Sequence, residues 1–214
     1  MRVLALDAAL SRCSAAVLVD DIVVAERRRD GRQGEAAHLP ALVAATLAAA
    51  GLRATDLDAV AATVGPGSFT GLRAALALAE GMALAAGVPC LGVTVAEALT
   101  EAVPPPEGRA LWIAIDSRRQ DRVFLAAEGA LRPVSLPELP LPAGPVALAG
   151  DAAPVVAAWL AARGADVMLT DARLPCAGDV ARVARRRLAG NLPPLPARPL
   201  YLDAPAARLP ATER

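Results

Sequence analysis

The chain has 214 residues, with 22 acidic and 22 basic side chains and therefore no formal net charge at neutral pH. This balance argues against autonomous tight binding of nucleic acid, which requires a basic surface. Although 55% of the residues are hydrophobic, no apolar run approaches the ~20 residues that a membrane span needs, and no signal-peptide pattern precedes the first strand. We therefore expect a cytoplasmic protein that does not contact a membrane.

Residues 1–103 predict one lobe with the element order βββαβαβα. Short apolar segments separated by tight turns predict the strands, and apolar residues at helical spacing predict the helices. Hairpins followed by strand–helix alternation indicate a mixed sheet with helices packed on it, the order of a ribonuclease-H-like lobe. The expected strands span 2–7, 13–19, 22–28, 58–64 and 90–95, and the expected helices span 35–50, 72–86 and 94–103.

A second, smaller lobe is expected over 109–190, after a boundary in the proline-rich stretch 104–108. Frequent prolines between 131 and 145 predict irregular or edge structure there. The proline-rich tail, 191–214, is expected to be extended, and the fold class is α/β with two lobes. The other expected elements are strands over 109–115, 122–127, 146–149 and 165–169 and helices over 154–162 and 179–189.

The segment Gly-Pro-Gly-Ser-Phe-Thr-Gly-Leu-Arg, residues 65–73, joins a buried strand to a helix. Its glycines permit unusual backbone angles, and a hydroxyl can cap the helix by accepting a hydrogen bond from a free N–H. Such a turn can hold a phosphate at the helix N-terminus. We favour a rigid corner instead, because an isolated glycine-rich turn is a weak motif. The structural turn residues are Gly65, Pro66, Gly67, Ser68, Thr70 and Gly71.

The helix after this turn is apolar on nearly all sides. Its only charged residues, Arg73 and Glu80, are seven apart and therefore lie on one narrow face. A helix of this kind must be covered on most of its surface. Two interpretations stay open: the helix over 35–50 covers it within the same lobe, or a second lobe or another chain does.

The 65–73 segment closely resembles the signature of the bacterial TsaB family, also called YeaZ. This nonamer is specific, whereas the other matching segments are weak when taken alone. Together they extend the resemblance over nearly the whole chain. The other matching segments are Leu4–Asp7 with Cys13–Val17, His38–Pro40, Asp116–Arg119 with Val123 and Phe124, Gly150–Ala152 and Pro199–Leu202.

The resemblance implies two ribonuclease-H-like lobes of the actin-like ATPase superfamily, with mixed sheets and flanking helices. It also implies a role in forming N6-threonylcarbamoyladenosine (t6A) at position 37 of tRNAs that read codons beginning with A. In that system the paralogue TsaD transfers the group from threonylcarbamoyl-adenylate, and a small ATPase, TsaE, joins the complex. Members of the TsaB family are non-catalytic scaffolds that dimerise with TsaD and form homodimers when alone. Only indirect contact with tRNA is expected.

The residues themselves bear on the non-catalytic role. The paralogous enzymes hold a metal with two histidines four apart on a helix plus an aspartate, and this chain contains one histidine. Gly34 and Leu42 stand four residues before and after His38, so a two-histidine site cannot form. Ser68 is not in a Gly-x-Ser-x-Gly elbow, which argues against a hydrolase. No catalytic residue, metal or cofactor is expected.

The resemblance implies that first-lobe helices form the partner and homodimer interface. We expect that Leu76→Glu leaves the lobe folded but blocks association. Four arginines near the C-terminal end, Arg182 and 185–187, are interpreted as a solvated helix face in preference to a tRNA contact. The expected interface residues are Glu35, His38, Leu39, Leu42, Phe69, Arg73, Leu76, Glu80 and Ala83.

Two alternatives stay open. One is a small-molecule kinase or ATPase of the same superfamily acting alone, with a nucleotide site that is vestigial in the favoured interpretation and would include Asp7, Gly150 and Asp151. Asp7 ends the first strand, where we favour a structural carboxylate that accepts hydrogen bonds from loop N–H groups. The other alternative is a homodimeric module without a role in tRNA modification.

Overall fold

Two five-stranded mixed sheets form the frame of the molecule in a computed structural model that describes residues 1–31, 35–104 and 106–202. The strands are β1 (Arg2–Asp7), β2 (Arg12–Val19), β3 (Ile22–Asp30), β4 (Ala59–Gly65), β5 (Cys90–Thr94), β6 (Ala110–Asp116), β7 (Arg122–Ala127), β8 (Ala130–Ser135), β9 (Val146–Ala149) and β10 (Val167–Leu169). The helices are α1 (Leu39–Ala50), α2 (Phe69–Ala86), α3 (Val95–Glu101), α4 (Ala153–Ala161) and α5 (Ala177–Leu188), with 3₁₀ turns at Glu35–His38, Ala54–Asp56 and Leu136–Glu138.

The two sheets have the same topology. The strand orders are β3-β2-β1-β4-β5 and β10-β9-β6-β7-β8, and in each sheet the first three strands in sequence are antiparallel and the next two are added in parallel. Two lobes of the ribonuclease-H-like order are therefore present, and the predicted fold class is confirmed. The proline-rich stretch after residue 130 supplies the edge strand β8, as expected of prolines in a sheet.

The first sheet is covered on both faces, which explains why β1 is apolar on both sides. Leu4 and Leu6 face the cluster beneath α1 and α2, whereas Val3 and Ala5 face the cluster beneath α5. A further cluster joins the lobes, with Leu72 and Leu99 of the first lobe packed among aromatic and aliphatic side chains of the second.

Helix α5 corrects the predicted domain boundaries. It lies in sequence within the expected second lobe, 109–190, but its buried face packs on β1 and β2 of the first sheet. The physical reason is that the outer face of that sheet is apolar, and the alanine- and valine-rich side of α5 fits closely against it. By packing, residues 177–188 therefore belong with the first lobe.

The segment 193–202 is likewise part of the first lobe and not a separate tail. The Gly92 N–H donates to the Leu195 carbonyl at 2.8 Å, and Leu91 forms an antiparallel bridge with Pro196. Farther on, the Leu200 N–H donates to the Val64 carbonyl at 2.8 Å. The rest of the predicted tail, 203–214, lies outside the described residues.

Helix α2 begins at Phe69, three residues before the predicted start, because Ser68 caps it by accepting a hydrogen bond from the Gly71 N–H at 3.3 Å. With 18 residues and a mean hydropathy of 1.3, α2 is long and apolar enough to cross a membrane by length and composition. The sequence criterion missed it because Arg73 and Glu80 interrupt the apolar run. Its inner face packs on β4, and a core helix of a folded lobe passes the same test.

The four predicted surface arginines of α5 each form an ion pair, and one of them is not solvated. Arg187 is buried, and its guanidinium donates to the carbonyls of Gly92 and Pro193 and to the carboxylate of Glu97. Its assignment to a solvated face was wrong, because the returning chain at Pro193 and the end of α3 enclose it. The half-exposed side chains of Arg182, Arg185 and Arg186 pair with Asp179, Asp21 and Glu101, respectively.

Two glycines of α2 provide a test of the close packing. A Cβ atom at Gly71 would lie 2.0 Å from the Ala8 carbonyl oxygen, whereas one at Gly81 would meet nothing within 4 Å. We expect Gly71→Ala to lower the free energy of unfolding by about 2 kcal/mol or more. Gly81→Ala should raise it by roughly 0.5–1 kcal/mol through helix propensity. Urea unfolding of both variants checks this, and equal effects would contradict the packing.

Substitutions of Arg187, which is buried, and Arg185, which is on the surface, provide a second matched comparison. Arg187→Met leaves the Glu97 carboxylate and two carbonyls without their donor, so we expect a loss of about 3–5 kcal/mol in the free energy of unfolding. Arg185→Met removes a surface ion pair with Asp21 and should cost less than about 1 kcal/mol. Thermal and urea unfolding measure both. A small loss for Arg187→Met would show that its buried contacts contribute little.

Candidate functional site

The glycine-rich turn packs backbone to backbone against the loop that follows β1. The Ser68 N–H donates to the Ala9 carbonyl at 2.7 Å, and a Cβ atom at Gly67 would lie 2.3 Å from the same oxygen. The N–H groups of Ser68 and Gly71 are thus engaged within the chain, so neither is available to a phosphate. This geometry fixes the direction in which α2 leaves the sheet.

The outer face of α2 carries a line of exposed side chains, which we name the α2 stripe: Phe69, Arg73, Ala77, Glu80 and Leu84. Phe69 is 62% exposed and Leu84 is 85% exposed. The Arg73 guanidinium stacks on the Phe69 ring at 3.3 Å from its centroid and donates to the Tyr201 hydroxyl at 2.8 Å. The stripe therefore combines apolar ends with one positive and one negative charge.

Helix α1 does not cover this stripe, because it lies on β2 and β3. Of the expected interface residues, His38, Phe69, Arg73 and Glu80 are exposed and Leu42 is half-buried. For Glu35, another expected interface residue, the structure describes the backbone only.

Three expected interface residues are in the core instead: Leu39, Leu76 and Ala83. Leu76 is 4% exposed and packs in the cluster between α2 and the sheet, which argues against the expectation that Leu76→Glu leaves the lobe folded. Leu76 and Ala83, three residues after Arg73 and Glu80, lie on the side of α2 that faces the sheet. Ala77 and Leu84, four residues after the same two, stay on the outer face. Sequence reasoning missed Ala77, Leu84 and Tyr201, although the spacing from Arg73 and Glu80 indicates the first two.

Asp7 is completely buried at the end of β1. Its Oδ1 accepts hydrogen bonds from the Thr63 hydroxyl at 2.7 Å and from the Ala9 N–H at 3.1 Å. Within the part of the chain that the structure describes, nothing donates to its Oδ2. Burial raises the pKa of Asp7 to about 6, against the opposing effects of Thr63, Ala9 and Arg12.

Asp116 holds the equivalent place in the second lobe, at the end of β6. The Asp151 Oδ1 accepts from the Asp116 N–H at 2.8 Å, and the Arg118 guanidinium lies 3.4 Å from Asp116 Oδ2 and 3.7 Å from Asp151 Oδ2. Gly150 has a φ of 103°, and a Cβ there would lie 2.1 Å from the Ala114 carbonyl oxygen. Close packing therefore accounts for the glycine at position 150, and a hydrogen bond and an ion pair within the chain account for the aspartate at position 151.

Metal-binding groups are sparse. Among residues 1–31, 35–104 and 106–202, no group of three or more histidine, cysteine or acidic side chains is arranged to hold a metal ion. His38 is exposed at the start of α1.

Comparison with known proteins shows which proteins this chain resembles. The family model described as TsaD, tRNA N6-adenosine threonylcarbamoyltransferase, matches residues 33–135. The TsaB protein of Escherichia coli is 34% identical over 126 residues, which are 59% of this chain and 54% of that protein. The structure of YeaZ from Pseudomonas aeruginosa covers 94% of this chain and 99% of its own, with a TM-score of 0.71 at 26% identity. These comparisons support the TsaB (YeaZ) family.

The family predicted from the 65–73 segment is thus confirmed. The aligned part spans about half the length of the E. coli relative. A more distant structure, component A of (R)-2-hydroxyglutaryl-CoA dehydratase from Acidaminococcus fermentans, covers 88% of this chain with a TM-score of 0.51 at 12% identity. That likeness shows the shared actin-like ATPase fold and nothing about activity.

The buried carboxylate of Asp7 predicts a pH-dependent stability. Because its pKa is about 6 when folded and roughly 4 when unfolded, the folded state loses stability relative to the unfolded state as pH rises from about 4 to 7. We expect Asp7→Asn to become more stable than the parent chain with rising pH, by up to about 3 kcal/mol. Urea unfolding at pH 4.5 and 7.5 measures this difference.

Asp56 provides the control with the opposite sign. Its hydrogen bond from the Arg53 side chain lowers the pKa of Asp56 to about 2. That interaction favours the folded state above pH 4 and is lost as pH falls, so Asp56→Asn should lose stability relative to the parent at pH 7.5 and not below pH 2. A pH-independent gap between Asp7→Asn and the parent would contradict the burial effect.

Proposed function

We propose that the chain is a non-catalytic scaffold subunit of the machinery that forms t6A at position 37 of tRNAs reading codons that begin with A. In this proposal it binds and activates a TsaD-type catalytic paralogue, and a TsaE-type ATPase joins the assembled complex. The observation that carries the proposal is membership of the TsaB family together with the exposed α2 stripe. The stripe places two large exposed apolar residues and two opposite charges on one helix face, which supports a protein–protein contact.

The TsaD family match supports the choice of partner. It spans residues 33–135, which include α1, the glycine-rich turn and α2. A TsaD-type protein is therefore expected to present equivalent helices, so the two chains would meet through corresponding surfaces. Contacts of this kind between related chains approximate a two-fold axis, as in homodimers.

The positions along α2 fit such a pairing. Arg73 and Glu80 lie at equal distances in sequence from a point between Leu76 and Ala77, and so do Phe69 and Leu84. Two antiparallel copies of α2 would thus place Arg73 opposite Glu80 and Phe69 opposite Leu84. The stripe extends about 22 Å, which two helices can share when they cross at a small angle. This self-complementarity supports a homodimer of the isolated chain that a TsaD-type partner displaces.

The state of the buried carboxylates supports a scaffold and not a kinase or ATPase. Asp7 is enclosed and bonded to Thr63, and Arg118 lies between Asp116 and Asp151. A nucleotide-bound cation at Asp116 and Asp151 would have to displace Arg118. The ion pairs of Arg182, Arg185 and Arg186 leave little positive charge for tRNA phosphate, which supports indirect contact with tRNA.

The test is reconstitution with the TsaD-type and TsaE-type proteins of the same organism. Size-exclusion chromatography with light scattering should show a homodimer of the chain alone that converts to a heteromeric complex when the TsaD-type protein is added. Nucleoside analysis of the tRNA should then show t6A only when this chain is present. A chain that is unchanged by the partner and dispensable for t6A would overturn the proposal.

Charge reversal tests the pairing of the α2 stripes. Arg73→Glu and Glu80→Arg each place like charges opposite one another twice across the two-fold axis, so each should weaken the homodimer about tenfold or more. The double variant restores opposite charges and should recover most of the affinity. Sedimentation equilibrium measures the dissociation constants. A double variant weaker than both single variants would exclude this register.

A further inference from the structure

The last described residues of the chain end on the α2 stripe. Segment 193–202 runs along the exposed edge of β5 and then crosses the end of β4, held by the backbone contacts of Leu195, Pro196 and Leu200. Two glycines make this path possible. A Cβ at Gly92 would lie 2.4 Å from the Pro196 carbonyl oxygen, and one at Gly65 would lie 3.3 Å from the Leu200 carbonyl oxygen.

At the end of this segment two side chains pack against the core and the one between them is exposed. Leu200 packs against the core beneath α2, and Leu202 packs against the cluster between the lobes. Tyr201, between them, is 61% exposed. An aromatic ring left in solvent beside two anchored leucines contributes little to holding the segment in place. Its position requires a different explanation.

The hydroxyl of Tyr201 supplies that explanation. It accepts a hydrogen bond from Arg73, whose guanidinium stacks on Phe69. Three exposed side chains from two distant parts of the sequence thus form one ordered cluster at one end of the α2 stripe. A long arginine side chain on a helix surface normally has many rotamers, and holding it between two rings lowers the entropy that binding would otherwise cost.

We propose that segment 193–202 is part of the docking surface: Tyr201 extends the α2 stripe and holds Arg73 and Phe69 in the conformation that the partner meets. The inference rests on the proposed function and names the same partner, a TsaD-type paralogue with equivalent helices. Tyrosine and arginine are enriched among the residues that dominate protein interfaces, because they combine large contact area with directed hydrogen bonds. The glycine-rich turn then has a second role, because Gly65 admits the segment that carries Tyr201.

The experiment measures binding of the full-length chain to its TsaD-type partner by titration calorimetry. Tyr201→Phe keeps the ring and removes the hydroxyl, so we expect affinity about three- to tenfold lower. Tyr201→Ala removes the ring as well and should lower affinity more than tenfold. Both variants should unfold at the parent temperature, because the ring is largely exposed. Arg163→Leu is the matched control, since it removes a similar arginine–aromatic stack, on Trp159 of α4, and should bind normally.

A double-variant cycle separates positioning from simple contact. If the hydroxyl acts through Arg73, Tyr201→Phe should have little further effect on affinity in an Arg73→Leu background. Full additivity of the two substitutions would overturn the positioning role. Parent-like affinity of Tyr201→Ala would overturn the inference while leaving the proposed function intact. Absence of binding by the parent chain would overturn both.

Discussion

The contact on which the first lobe depends is between two pieces of backbone. The loop after β1, at Ala8 and Ala9, lies directly against the turn before α2, and a side chain at Gly67 or Gly71 would occupy the space of a carbonyl oxygen. Because the amide of Ser68 bonds to the Ala9 carbonyl, the start of α2 is fixed relative to the sheet. The direction of α2 then decides which of its residues reach the core and which form the exposed stripe.

The equal topology of the two sheets places a carboxylate at the same point of each lobe. Each half ends its first strand in a carboxylate, Asp7 or Asp116. In one half the carboxylate is enclosed by the lobe, and in the other an arginine from the next loop compensates its charge. The two lobes thus place equivalent carboxylates in different surroundings, one buried and one beside an arginine.

Much of the fold could be predicted from the sequence, because strand and helix periodicity and glycine or proline breaks are local signals. The site was less predictable. The charges of Arg73 and Glu80 located the outer face of α2, but choosing Leu76 and Ala83 beside them required the exact helical phase, which the packing of α2 on β4 determines. The placement of α5 and of Tyr201 depends on contacts between residues 95 to 163 positions apart, and no local pattern encodes these.

The return of the chain to the first lobe has a consequence for the order of folding. The face of the first sheet formed by Val3, Ala5 and Leu18 has its cover in α5, which the ribosome makes only after the entire second sheet. During synthesis this apolar face stays uncovered until a helix more than 150 residues away in sequence has been made. Such non-local contacts slow folding and leave apolar surface open to aggregation. The first lobe to emerge is therefore the last to be completed.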